Sequence, residues 1–170
     1  MSSNNAFLVG FMGSGKSSIL KHISQTTKIN TIDLDQVVLN DNSEHVETIE
    51  EIFVTHGEKY FRSQEEKSFA NIQNLSKTLI SLGGGSLEST AIRTIVHQSK
   101  QSFYLQNEFI NLWENIKNTN RPLVATGIDN VKMIYNERLE SYEQCSNTID
   151  MSTTSLQEAS KIIVRKLGWV

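Results

Sequence analysis

Gly10-Phe11-Met12-Gly13-Ser14-Gly15-Lys16-Ser17 decides the fold of this chain. The stretch fits G-x-x-x-x-G-K-[ST]. An apolar run at residues 6–9 precedes it, and a helical pattern runs from Lys16 to about Thr26. That strand–loop–helix setting is what the pattern requires. Glycines let successive N–H groups curl around an anion, and the helix N-terminus adds a favourable field. Lys16 is placed to reach the outer phosphates of a nucleotide, and the Ser17 hydroxyl to ligate Mg²⁺. The alternative is a glycine-rich turn with no ligand. A chance match in a chain this long is on the order of 1 in 200 at average residue usage.

Glycine placement carries the next clue. The 170 residues include nine glycines and one proline, Pro122. Six of the nine glycines fall in two clusters, Gly10, Gly13, Gly15 and Gly83, Gly84, Gly85. Tight clusters suggest backbone brought close to a ligand. Sixteen basic and 19 acidic residues give a formal charge of −3, which offers no basis for nucleic-acid or membrane-surface binding. Cys145 stands alone, which excludes an internal disulfide or a cysteine-based zinc site and suits the cytoplasm. No apolar run approaches the ~18 residues of a membrane span. The start, Met1-Ser2-Ser3-Asn4-Asn5, lacks the basic stretch of a signal peptide. His22, His45, His56 and His97 show no metal-ligand spacing.

Beyond the loop, strands are expected at 29–33, 78–82, 102–105 and 148–151. Helices are expected at 49–53, 60–76, 91–97, from about 107, at 128–145 and at 155–167, the last opened by a Ser155–Glu158 capping box. Residues 118–127 read as loop. Alternation of strands and helices predicts an α/β domain with a parallel sheet covered on both faces.

Two helices carry charges where packing alone would not put them. At ~100° per residue, Val131, Ile134, Tyr135, Tyr142 and Cys145 share a face, and Arg138 projects onto its middle. On 60–76 the apolar face is Phe61, Phe69, Ile72 and Leu75. Glu65 lies within it and Arg62 at its edge, within pairing distance of Glu65. These arginines are either structural ion-pair partners or the lining of a pocket for an anionic substrate. Asp33-Leu34-Asp35 ends the second strand. Strand alternation would send both carboxylates one way, towards the carboxyl ends of the strands where α/β ligands sit.

The ordered set of these residues resembles shikimate kinase over nearly the whole chain. It comprises residues 7–17, Asp33-Leu34-Asp35, Glu51-Ile52-Phe53, Gly57, Phe61-Arg62 with Glu65, Gly83-Gly84-Gly85, Arg121-Pro122-Leu123, and Glu137-Arg138 with Tyr142. The resemblance implies a three-layer α/β/α P-loop kinase of the nucleoside-monophosphate-kinase type, with a five-stranded parallel sheet. It implies one kinase domain over residues 1–170, with a shikimate-binding subregion at about 33–65 and a lid at about 117–127. The implied reaction moves the γ-phosphoryl of ATP to the 3-hydroxyl of shikimate, in the chorismate route to aromatic amino acids. The implied partners are ATP, Mg²⁺ and shikimate, with the chain acting as a monomer.

Residue by residue, the resemblance implies catalytic roles for Lys16, Asp35 and Arg121. Gly13, Ser14, Gly15, Lys16, Ser17, Ser18 and Arg121 would hold the ATP phosphates. Asp35, Arg62, Glu65, Gly83, Gly84, Gly85 and Arg138 would hold shikimate, and Ser17, with Asp33 through water, would hold the metal. Departures are visible too. Leu82 stands where the family usually has Ser or Thr, Glu140 where it usually has Pro, and no arginine lies around 113–117, where one commonly stacks on adenine; Trp113 and Lys117 are there instead. Two other readings compete. One is another small-molecule kinase on this scaffold, such as a gluconate or nucleotide kinase. The other is a nucleotide-binding module with weak or lost catalysis, which would predict damage at Lys16, Asp35, Arg62 or Arg138.

Overall fold

The apolar run before the glycine loop becomes β1 (Ala6–Val9), the middle strand of a five-stranded parallel sheet. A computed structural model describes residues 4–42 and 46–169 of the chain. His45, given no metal role above, and Met1-Ser2-Ser3 lie outside the described residues. In chain order the strands are β1, β2 (Asn30–Asp33), β3 (Thr78–Ser81), β4 (Ser102–Gln106) and β5 (Asn147–Asp150), and their spatial order is β2-β3-β1-β4-β5. All four pairings are parallel. Parallel neighbours need crossover helices, and these cover both faces of the sheet.

Strand alternation divides the core in two. Phe7 and Val9 join a large cluster with Ile80 and Tyr104 on one face. Ala6 and Leu8 join Leu79, Phe103 and Leu105 on the other. There α1 (Lys16–Thr26) and α8 (Leu156–Leu167) supply Ile19, Ile23, Ala159 and Ile163. The larger cluster is covered by α2 (Leu34–Asp41), α3 (Ile49–His56), α4 (Glu58–Ile72), α5 (Thr90–Gln98), α6 (Phe109–Ile116) and α7 (Ile128–Glu143). The expected three-layer architecture is therefore the observed one.

Three local expectations are corrected. Asp33 and Asp35 do not alternate along one strand. Asp33 ends β2 and caps α2, its carboxylate accepting the Asp35 N–H at 3.0 Å. An N-cap aspartate turns the chain straight into a helix, so Asp35 sits in a first helical turn. Leu34 goes into the core between them, and Val38 follows one turn on. Cys145 lies beyond α7, which ends at Glu143; its N–H donates to Tyr142 O at 3.1 Å and its side chain is still buried. Ser155 caps α8 by accepting the Glu158 N–H at 3.2 Å, but the reciprocal capping box forms at Thr48 and Glu51, opening α3. Glu140 is exposed on an unbroken α7, so this helix runs straight through the position of the absent proline.

Candidate active site

Three strand ends build the site. The phosphate loop leaves β1, Asp33 and Asp35 follow β2, and the glycine triplet follows β3. These strands are adjacent, so their carboxyl ends open on one crevice. Gly13 and Gly15 adopt φ of +80° and +96°, the left-handed region that favours glycine. Gly15 occupies the N-cap of α1, which leaves its first N–H groups without a side-chain cap and available to an anion. Asn115, the penultimate residue of α6, donates to Gly13 O at 2.9 Å and ties that helix to the loop. Ser17 and Ser18 are exposed in the first turn of α1, whereas Ser14 is buried and its Oγ has no partner.

Lys16 folds back over the loop, its Nζ donating to Phe11 O at 3.0 Å and to Gly10 O. Burial pulls its pKa down to about 8, with Asp35 opposing and Arg121 reinforcing that shift. Across the crevice, burial pushes the Asp35 carboxyl up to about 6, and the charges of Glu65 and Asp33 push the same way. Asp35 Oδ1 is buried with no hydrogen-bond partner. A buried acceptor left open in this manner is poised to take a donor from a ligand.

Beside the loop lies a cavity of about 330 Å³, lined by Met12, Asp35, Arg62, the glycine triplet, Arg121 and Arg138 among others. Ile49, Phe53 and Phe61 give it apolar lining, and Pro122, Leu123 and Thr126 line it as well. Two glycines of the triplet face atoms a side chain would strike, and the third is in ordinary contact. A Cβ on Gly83 would lie 2.9 Å from Asp35 Oδ1, one on Gly84 would touch Met12 N at 3.4 Å, and one on Gly85 would collide with Arg62 Nη2. Tyr142 further fixes the triplet by donating to Gly84 O.

The arginines are both paired and pocket-lining. Arg62 Nη1 donates to Glu65 Oε2 at 2.8 Å, and Glu65, wholly buried, also accepts from Ser86 Oγ. Burial is the largest influence on Arg62 and works against its charge, but Glu65, Glu88 and Glu58 outweigh it and leave the pKa raised. Arg138 Nε donates to Glu88 Oε1 at 2.7 Å. Sequence reasoning missed Glu88 and Asn115, whose partners lie 50 and 102 residues away with no periodicity to signal them. It also left the lid's contribution thin: Arg121 is exposed, but it reaches the cavity wall. Leu82 packs within the larger core cluster at 1% exposure. Trp113 packs partly buried against that same cluster, and Lys117 pairs with Glu114. Gly127, with φ of +92°, occupies the N-cap of α7.

Asp33 lies near enough to Lys16 for its charge to act on it, and the Ser17 hydroxyl and Asp33 carboxylate are donor types that a hard cation takes. Among the described residues no group of three or more His, Cys, Asp or Glu is arranged to hold a metal alone. Mg²⁺ brought by a nucleotide needs no such cage.

A phosphate loop in contact with an acceptor pocket supports phosphoryl transfer to a small molecule, and this places the chain among the P-loop small-molecule kinases. A family model described as Shikimate kinase matches residues 12–167, and the chain belongs to that family. A shikimate kinase from Dictyoglomus turgidum is 34% identical over 165 residues, covering 94% of each chain. One from Bacillus subtilis is 29% identical, covering 97% of this chain and 90% of the relative. The solved structure of a shikimate kinase from Acinetobacter baumannii in complex with shikimate shares the fold, with a TM-score of 0.84 at 23% identity over 98% of this chain and 94% of that one.

Proposed function

We propose that this chain binds shikimate in the cavity between α2, α4 and α7 and phosphorylates its 3-hydroxyl with ATP. The observation that carries this is the convergence of Arg62 and Arg138 on Gly85 in a pocket that also holds Asp35. Two guanidinium forks suit one carboxylate, and an unpartnered carboxylate suits a hydroxyl. Arg62 and Arg138 grip the shikimate carboxylate, with Glu65 holding Arg62 in place. Gly83, Gly84 and Gly85 let the ring approach the backbone. Asp35 accepts the hydroxyl proton as the oxygen attacks phosphorus, which its raised pKa of about 6 suits.

Gly13, Ser14, Gly15, Lys16, Ser17 and Ser18 cradle the ATP phosphates. Ser17, and Asp33 through water, would hold Mg²⁺, which would neutralise phosphate charge. Lys16 and Arg121 supply positive charge where negative charge spreads over the transferring group. Residues 117–127 act as a lid, bringing Arg121 over the phosphates and excluding water. The whole chain works as one kinase domain, with residues 33–65 contributing the acceptor side. The chain acts as a monomer, and a cytoplasmic setting agrees with the lone Cys145. The test is product identification: ¹H–³¹P correlation on the reaction mixture should show phosphorus coupled to the proton at carbon 3. Coupling to a different ring position would refute the assigned orientation.

A further inference from the structure

The two pocket arginines lie so close that they need an anion between them. A Cβ on Gly85 would collide with Arg62 Nη2 and lie 2.8 Å from Arg138 Nη2. Glu88 supplies that anion. Its Oε1 takes Arg138 Nε at 2.7 Å and Nη2 at 2.5 Å, and its Oε2 lies 3.9 Å from Arg62 Nε. That Arg62 Nε is buried and makes no hydrogen bond. Glu88 therefore spans both guanidiniums but satisfies only one of them.

Three glutamates share the two arginines, and they are not equally fixed. Glu65 is wholly buried and held by Ser86 as well as by Arg62. Glu58 reaches Arg62 alone, at 3.4 Å. Glu88 is the one that touches both arginines, and its side chain is 46% exposed. It closes the short 3₁₀ turn Ser86–Glu88 that follows the triplet. Arg93 anchors this turn by its backbone, donating to Leu87 O at 2.9 Å. The turn is thus held independently of the Glu88 carboxylate, which is half-exposed to solvent.

We infer that Glu88 is an internal stand-in for the acceptor's carboxylate. It neutralises Arg62 and Arg138 in the empty pocket and is displaced when a substrate carboxylate arrives. The inference rests on the reading of these arginines as the carboxylate grip. Substrate binding then exchanges one ion pair for another, so Glu88 weakens affinity for the carboxylate while stabilising the unliganded site. It also sets a threshold on what enters. To displace Glu88, which satisfies only Arg138, a ligand must offer a carboxylate whose geometry satisfies both forks.

Isothermal titration of wild type, Glu88→Gln and Glu88→Thr with shikimate and with its uncharged methyl ester tests this. Both variants should bind shikimate about three- to fivefold more tightly than wild type, the scale of a half-exposed ion pair. Their affinity for the methyl ester should not rise, since the ester does not compete for the arginines. Unliganded, the variants should melt below wild type, and saturating shikimate should raise their melting temperature by more. Equal or weaker shikimate binding in both variants overturns the inference, because Glu88 would then be a brace for Arg138 or a bystander. Tighter binding of the ester as well would overturn it too, by removing the link to charge. Failure of wild type to bind shikimate at all would overturn the reading of the pocket itself.

Discussion

The Asp35 carboxylate packs against the bare backbone of Gly83. A methyl group there would lie 2.9 Å from Asp35 Oδ1 and 3.1 Å from both Glu65 Oε1 and Ser86 Oγ. The backbone of Gly83 is not in a left-handed conformation, so alanine costs nothing in φ. The conflict is with the side chains alone, and the shortest contact is with the Asp35 carboxylate. Gly83→Ala should fold, with a melting temperature lowered by a few degrees, about 1–2 kcal/mol. Turnover with shikimate should fall by about tenfold or more, because a small misplacement of a reacting group is enough. ATP affinity, measured by titration, should stay within about twofold.

Asp35→Asn should stabilise the protein while disabling it. The carboxyl titrates at about 6 folded against 3.8 ordinarily. Its protonated form therefore favours folding, and that contribution is lost as the pH rises through 6. At pH 8 the wild type holds a buried charge that the asparagine variant lacks. The variant should melt higher there, by an amount on the order of 1–3 kcal/mol, with the gap closing by about pH 4. Turnover should fall by about 10²–10⁴-fold. A melting difference that ignores pH would show that Asp35 is not the group responsible.

The same shifts set the pH profile of the free enzyme. kcat/KM for shikimate should fall below about pH 6 as Asp35 takes up a proton, and again above about pH 8 as Lys16 loses one. In Asp35→Asn the acid limb should vanish and the alkaline limb should remain.

Arg138→Lys keeps a charge but loses the fork. KM for shikimate should rise about tenfold or more, with KM for ATP within about twofold. Arg138→Ala should still fold, since its partner Glu88 is half-exposed and loses about 1 kcal/mol at most. Parallel losses for both substrates would mean that Arg138 shapes the whole domain.

How much of this was legible depended on whether the physics is local. The phosphate loop could be read outright, because an anion cradle must be built from consecutive N–H groups. Arg138 was legible as an oddity, a charge on the apolar face of a helix whose period is plain. Asp33 and Asp35 were picked out, but their geometry was misread. A side-chain cap decides where β2 stops, and strand alternation does not foresee it. The spacing of Leu34 and Val38 did carry the missing helix, in the four-residue step of a buried face. Glu88 was invisible, since it sits in a loop and its meaning comes from two arginines on separate helices.

The most direct measurement is ADP release in a coupled assay, with shikimate, gluconate and nucleoside monophosphates offered as acceptors in separate reactions. A grip of two arginines facing Asp35 predicts rapid release with shikimate and only background ATP hydrolysis with the others. Turnover on gluconate or a nucleoside monophosphate, with none on shikimate, would contradict it.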